Sequence, residues 1–325
     1  MKIVIFGGGT GLSNILTGFK KDVGKLVKRL TAVVTVSDSG GSSGILKKIY
    51  DIPAIGDLRN CLLALSNIEN YVKKTMQYRF IKGNGLKGHP LGNLFLVALL
   101  ETEGNILKAI QRASKILNIS GEIIPSTFEK VELTATFEDG KKVVGEENIV
   151  KYGFVSKKRI LDIKLKPSNP SPPDLLLDRI KRADMLIFGP GSLYTSILPN
   201  FLVSGIKESI KDSKALKILI INLLTQPGET DNFTAKNHLD EFLRISEVNN
   251  LDALVVDNSK FDHTMIKKVK SEGKEIVIYD PVDFKDVQIK IYQGSLISKN
   301  QVFIKHDPLK TKKLILKIAK DYGII

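Results

Sequence analysis

The chain opens on Lys2-Ile-Val-Ile-Phe6, runs directly into Gly7-Gly-Gly-Thr-Gly11, and continues with Leu12, Ile15, Leu16 and Phe19 along one helical face. A short apolar run, a turn that demands glycine and then a period of about 3.6 residues spell strand, loop, helix. Few folds accept that opening. A second β-branched run, Thr31 to Val36, follows the helix and ends in another small-residue loop, Ser37-Asp-Ser-Gly-Gly-Ser-Ser-Gly44. Two strands bridged by a helix lie parallel, because an antiparallel pair needs only a tight turn.

The same series restarts in the second half. Met185-Leu-Ile-Phe188 feeds Gly189-Pro-Gly-Ser192, Leu216 to Leu223 feeds Thr225-Gln-Pro-Gly-Glu-Thr230, Ala253 to Val256 feeds Asp257-Asn258, and Glu275 to Tyr279 feeds Asp280-Pro281. Between the two series the period drops to two: Val131, Leu133, Ala135 and Phe137 alternate, Asp139-Gly140 turns, and Val143-Val144 begins a return. The fold class is therefore α/β: an open, mainly parallel, Rossmann-like sheet with helices on both faces. Residues 1–325 read as a single domain, with an inserted antiparallel β-hairpin at about 123–166 and a Pro-rich linker at 167–173. Helices are expected around Leu58 to Asn67 and Leu91 to Leu100. Ligands of such sheets bind at the carboxyl ends of the strands, so the chemistry belongs to the loops.

Charge narrows the partners. Lys plus Arg is 49 against 35 for Asp plus Glu, a surplus of +14 that favours anionic ligands. Only eight of the basic residues are Arg, Trp is absent, and no dense stripe of cations and aromatics appears, which disfavours nucleic acid. The single cysteine, Cys61, cannot pair within the chain, and the four His show no metal-binding spacing. No apolar run approaches the roughly 18 residues a membrane-spanning helix requires, and Gly7 to Gly9 interrupt the first run before a signal-peptide core could form. A cytoplasmic protein without a membrane span is expected, with assembly into a homo-oligomer.

Several loops carry candidate chemistry. Gly8, Gly9, Thr10 and Gly11 let main-chain amides approach a diphosphate closely, and the following helix aims its positive end at the anion. A dinucleotide fingerprint would need a third glycine where Leu12 stands, so NAD is disfavoured. Gly41, Ser42 and Ser43 can wrap a phosphate while Asp38 faces a hydroxyl or a magnesium ion. Asp57 stands at the start of a predicted helix with Arg59 and Asn60 behind it. It either caps that helix or shares a cation with Asp38. His89, in Gly88-His-Pro-Leu-Gly-Asn93, either donates to a phosphate or caps a helix. Gly189 and Gly191 repeat the logic of the first loop, with Ser192 and Thr195 as hydroxyl donors. Asn222, Thr225, Gln226 and Glu229 sit at another strand end and suit a sugar or a base, although a plain turn would read alike. No nucleophile and base pair is legible, so covalent catalysis is not indicated.

Six blocks taken together, Gly7-Gly-Gly-Thr-Gly-Leu12, Asp38-Ser-Gly-Gly-Ser-Ser-Gly44, Gly56-Asp-Leu-Arg-Asn-Cys61, Gly88-His-Pro-Leu-Gly-Asn93, the run from Gly189 to Asn200 and Thr225-Gln-Pro-Gly-Glu-Thr230, closely resemble the gluconeogenesis-factor family. That is the YvcK-type branch of the 2-phospho-L-lactate transferase (CofD-like) superfamily. The resemblance implies a cytoplasmic bacterial protein that binds UDP-type nucleotide sugars and supports cell shape and wall synthesis during gluconeogenic growth. It adds Arg59, Asn60, Asn93 and Lys305 to the candidate ligand residues. The transferase branch instead moves phospholactate from a guanosine diphosphate donor to a deazaflavin alcohol, with magnesium held by aspartates that correspond to Asp38 and Asp57. Magnesium is the one cofactor candidate. This sequence departs from the family at Ser39, where a second Asp is usual, and at Lys305-His-Asp307, where an Arg precedes the His-Asp pair. A lysine there keeps the charge and loses the planar fork.

Overall fold

The computed structural model describes residues 1–298 and 304–325. Among these described residues ten strands are formed: β1 Lys2–Gly7, β2 Arg29–Val34, β3 Glu122–Pro125, β4 Glu132–Phe137, β5 Lys142–Val144, β6 Ile160–Lys166, β7 Met185–Phe188, β8 Leu216–Ile220, β9 Ala253–Asp257 and β10 Lys290–Gly294. Seven make one sheet in the order β10-β9-β8-β7-β1-β2-β3, with every neighbouring pair parallel. Along β1 the side chains alternate between two cores. Val4 and Phe6 face one and Ile3 and Ile5 the other, so the strand is apolar on both sides, as a sheet covered by helices requires. Phe188 anchors the first core, with ring centroids 5.4 Å from Phe6, 5.4 Å from Phe201 and 5.3 Å from Phe242. Each such pair adds about 1 kcal/mol beyond its burial.

The chain winds outward from the centre twice, β1 to β3 on one side and β7 to β10 on the other. The direction of winding reverses between β1 and β7, the switch point at whose carboxyl edge ligands of such sheets bind. Phe6 pairs with Phe188, and the Gly189 amide donates to the Phe6 carbonyl at 3.0 Å. Both glycine loops thus leave the sheet side by side at its switch point.

Two features differ from the sequence reading. Ile123 and Ile124 belong to β3, which pairs with β2 at the edge of the main sheet, so the insertion is shorter than 123–166 and begins at about Glu132. It is also more than a hairpin. β5, β4 and β6 form a three-stranded antiparallel sheet, with the helix Glu146–Ser156 between β5 and β6. The run Glu275 to Tyr279 is no sheet strand. It folds back on the loop after β8, where the Thr225 amide donates to the Glu275 carbonyl at 2.8 Å and the Val277 amide to the Leu223 carbonyl at 3.0 Å. β10, with mixed polar and apolar residues at the sheet edge, takes the expected place instead.

Candidate functional site

The first loop turns so tightly that its backbone stacks on the second. A Cβ on Gly11 would lie 2.1 Å from the Pro190 carbonyl oxygen, and one on Gly8 would lie 2.5 Å from Asp57 Oδ2. Gly9 differs: its φ is +57° and nothing stands within 4 Å of where its Cβ would be, so its open side faces the crevice. The helix Gly9–Phe19 starts here without a side-chain cap, leaving its first amides for another acceptor. The second loop is held by Asn222, whose Nδ2 donates to the Gly191 carbonyl at 2.8 Å while its Oδ1 accepts the Gly191 amide at 3.0 Å. After Ser192 the chain makes a π-helical turn, Leu193–Ile197, and a 3-10 turn, Leu198–Leu202, rather than the expected regular helix. Pro199 has no amide to continue an α-helical ladder.

The loops share a cavity of about 230 Å³ lined by Gly8, Gly9, Thr10, Gly11, Gly191, Ser192, Asn222, Thr225, Gln226 and Lys305 from the predicted set. Asn14, Pro190, Ser196, Leu223, Leu224, Lys274, Ile304 and His306 complete its wall. A second cavity of about 290 Å³ continues from it past Thr10, Lys274 and Lys305 to Lys268 and Glu272. Main-chain amides on one side and lysines on the other suit a diphosphate, with room beyond it for a further group.

Other predicted residues lie behind this wall. Gly189, with φ of +75°, makes the bend beneath the cavity. Thr195 is buried and donates its hydroxyl to Glu229, 3.3 and 3.4 Å from the two carboxylate oxygens. Glu229 also receives the Tyr194 and Thr195 amides, yet burial outweighs those bonds and raises its pKa to about 7. Glu229 supports this turn and does not line the cavity, whereas Asn222 both lines it and pins the second loop.

The remaining candidates gather as a polar cluster beside the first loop. Ser42 Oγ stands 2.8 Å from His89 Nδ1, and Asn93 donates to Ser42 Oγ at 2.9 Å. Arg59 donates to Asn93 at 3.0 Å and to Asn60 at 2.8 Å, and burial lowers its pKa. Ser43 accepts the Gly56 amide at 2.9 Å, and Gly41 opens the adjoining helix Gly41–Tyr50. His89 therefore bonds to a serine and caps nothing; Pro90 holds the cap position. Asp57 does not cap its helix either. It accepts the Gly9 amide, and burial followed by the charge of Asp38 carries its pKa up to about 6.

Glu146, at the start of the inserted helix, escaped the sequence reading because nothing local marks it. The insertion brings it in: Gly228 packs so closely on that helix that a Cβ there would sit 2.2 Å from the Val150 carbonyl oxygen. Glu146 shares a hydrogen bond with Asp38, and burial with that neighbouring charge raises its pKa. Among the described residues no three His, Cys, Asp or Glu side chains are arranged to hold a metal ion. Asp38 and Asp57 offer two carboxylates, so a magnesium ion between them would draw its other ligands from phosphate oxygens and water. His306, noted in the sequence only within the Lys305-His-Asp307 block, also lines the cavity. Buried, with its pKa lowered to about 4, it is neutral, and its Nε2 has no partner.

Comparison with known proteins agrees with this architecture. A family model described as 2-phospho-L-lactate transferase CofD matches residues 3–297. A protein of Aquifex aeolicus is 50% identical over 99% of this chain and 97% of its own. The gluconeogenesis factor of Bacillus subtilis is 40% identical over 98% of each. A crystal structure of a Bacillus halodurans protein superposes with a TM-score of 0.91 at 40% identity, covering 97% of this chain and 98% of that one. The chain belongs to the CofD family and, within it, to the gluconeogenesis-factor, YvcK-type branch.

Proposed function

We propose that the protein binds a nucleotide sugar of the UDP type in the cytoplasm and acts as a sensor that supports cell shape and wall synthesis during gluconeogenic growth. The observation that carries this reading is the convergence of Gly8 to Gly11 and Gly191 to Ser192 on one cavity, with Lys274 and Lys305 in its wall. Loop amides and cations together suit a pyrophosphate, and the adjoining cavity suits the sugar or the base. Calorimetric titration with UDP-N-acetylglucosamine should give saturable heat from the parent protein. Gly9→Leu should lose it, because that side chain would enter open crevice; the φ of +57° strains any side chain by about 1–2 kcal/mol, so a melting curve recorded alongside checks that the variant stays folded. No heat from a folded parent would end the proposal.

A magnesium-dependent transferase is the second reading, favoured by one observation: Asp38 approaches closely enough for its charge to be felt by Asp57 beside the first loop. When bound there, magnesium would neutralise charge on a diphosphate donor. Asp57 has lone pairs enough to keep the Gly9 amide while offering an oxygen to the ion. Incubation with a guanosine diphosphate donor, magnesium and a deazaflavin alcohol should release guanosine monophosphate if the second reading holds; absence of release rejects it.

A further inference from the structure

Away from the cavity, one segment gathers charge and exposed hydrocarbon together. Residues 70–100 contain Lys73, Lys74, Arg79, Lys82 and Lys87 and not one Asp or Glu. Among the described residues none of these five cations forms an ion pair. Lys73 instead shares the Ser66 carbonyl with Lys20, each at 2.8 Å, so two cations are held together without a carboxylate.

The apolar side chains here are turned outward. The helix Asn70–Gln77 has no buried residue. Tyr71, Lys74 and Tyr78 follow one another along one helical face, and the tyrosines are 66% and 50% exposed. The chain then forms a projecting loop in which residues 81–87 are all exposed, Ile81 to 69% and Leu86 to 42%. This loop is braced at its base. The Phe80 amide donates to the His89 carbonyl at 3.0 Å, the Gly88 amide to Phe80 at 2.8 Å and the Leu91 amide to Tyr78 at 2.9 Å. Arg79 also bonds the Gly88 carbonyl. A fixed scaffold thus presents two aliphatic tips flanked by cations.

We propose that residues 70–88 dock the protein on an anionic lipid bilayer, with Ile81 and Leu86 entering the interface, Tyr71 and Tyr78 at its rim, and Lys74, Lys82 and Lys87 against the headgroups. Charge complementarity chooses this occupant: hydrocarbon ringed by lysines matches acyl chains beneath a negative surface. A second copy meeting the same patch would set like charges against each other. Nucleic acid would engage the cations and leave Ile81 and Leu86 without a role, since stacking needs a π-face. His89 and Asn93 at the loop's base join it to Ser42, so docking has a physical route to the polar cluster beside the cavity.

Flotation of the full-length chain with vesicles tests this. Vesicles of phosphatidylcholine mixed with phosphatidylglycerol should carry the protein, and pure phosphatidylcholine should not. The double substitution Ile81→Ser with Leu86→Ser keeps every charge and should lower partitioning about 10-fold. Lys82→Glu with Lys87→Glu should lower it about 30-fold or more. Lys157→Glu with Lys158→Glu, on the inserted lobe, should leave it unchanged. All these side chains are on the surface, and unchanged thermal melting would confirm intact folding. Failure to float with anionic vesicles, or parent-like flotation of the Ile81/Leu86 double variant, would overturn the proposal. So would a single-stranded oligonucleotide that displaces the vesicles and binds the Ile81/Leu86 double variant as well as the parent.

Discussion

The two glycine loops look interchangeable in sequence and are held by different means. The first, at the end of β1, depends on absent side chains, because Gly11 touches the Pro190 backbone and Gly8 leaves room for Asp57. The second, after β7, is clamped by a side chain, since Asn222 takes both the donor and the acceptor of Gly191. Each is also backed by a carboxylate of raised pKa, Asp57 for the first and Glu229 for the second. Those carboxylates occupy unlike positions. Asp57 consumes an amide of the anion loop itself, whereas Glu229 bonds the turn behind its loop. The same ligand-facing geometry thus comes from close backbone contact on one side and from a polar clamp on the other.

Breaking the backbone contact should have the largest effect. Gly11→Ala places a methyl group 2.1 Å from a carbonyl oxygen that the neighbouring strand fixes, so the two loops must part. A stability loss of about 3 kcal/mol is expected, read as a lower urea midpoint with an unchanged slope, together with loss of ligand heat. A melting curve matching the parent would show that the loops do not depend on each other.

The carboxylate behind the second loop should show itself through pH. The pKa of Glu229 is raised from an ordinary 4.5 to about 7, so between those values the folded protein holds a proton that the unfolded chain has released. Stability from this group therefore falls as pH rises through that window and stays low above it. Glu229→Gln removes the charge and can still accept amides, so it should stabilise the protein by up to about 3 kcal/mol at pH near 8. At pH near 4 it should change little. Equal effects at both pH values would mean that folding does not shift the pKa of Glu229.

Asn222→Ala should be milder. It strands the amide and carbonyl of Gly191, at a cost of about 2 kcal/mol, and it frees the second loop while the first keeps its stacking. Ligand affinity should drop more than stability suggests, because the amides lose their aim. If affinity is unchanged while stability falls, the clamp serves the fold alone.

These contrasts also mark what the sequence could convey. The switch-point loops were legible because strand, glycine turn and helix are local patterns, and Gly7 to Gly11 and Gly189 to Ser192 carry them within a few residues. Local spacing also placed β1, β2, β7, β8 and β9. It could not tell that Asn222 would pin a loop, because that role depends on a contact across 31 positions. The places of Glu146 and His306 in the site were unreadable for the same reason: an inserted helix and a segment near the carboxyl terminus bring them in. Glu275 to Tyr279 misled because its β-branched residues suit a strand, yet the loop after β8 captured them. β10 escaped because Lys290 and Gln293 interrupt its apolar residues, as an edge position allows.

The smallest expected effect separates the two carboxylates by ligand rather than by fold. Ionised Asp57 holds the Gly9 amide and sets negative charge beside the anion loop, so a diphosphate must compete with it. As pH falls through about 6, protonation weakens both obstacles. A nucleotide sugar keeps the same diphosphate charge over that range, so the change belongs to the protein. Affinity for UDP-N-acetylglucosamine, measured with chelator present to exclude cations, should rise about 10-fold between pH 8 and pH 5, roughly the effect of one removed like charge. Asp57→Asn can still accept the amide and should bind equally well at both pH values, near the acid limit of the parent. Glu229→Gln, acting behind its loop, should retain most of the parent's slope. Should Asp57→Asn keep the full pH dependence, the carboxylate under the first loop does not compete for the ligand's amides, and the asymmetry between the loops is one of construction alone.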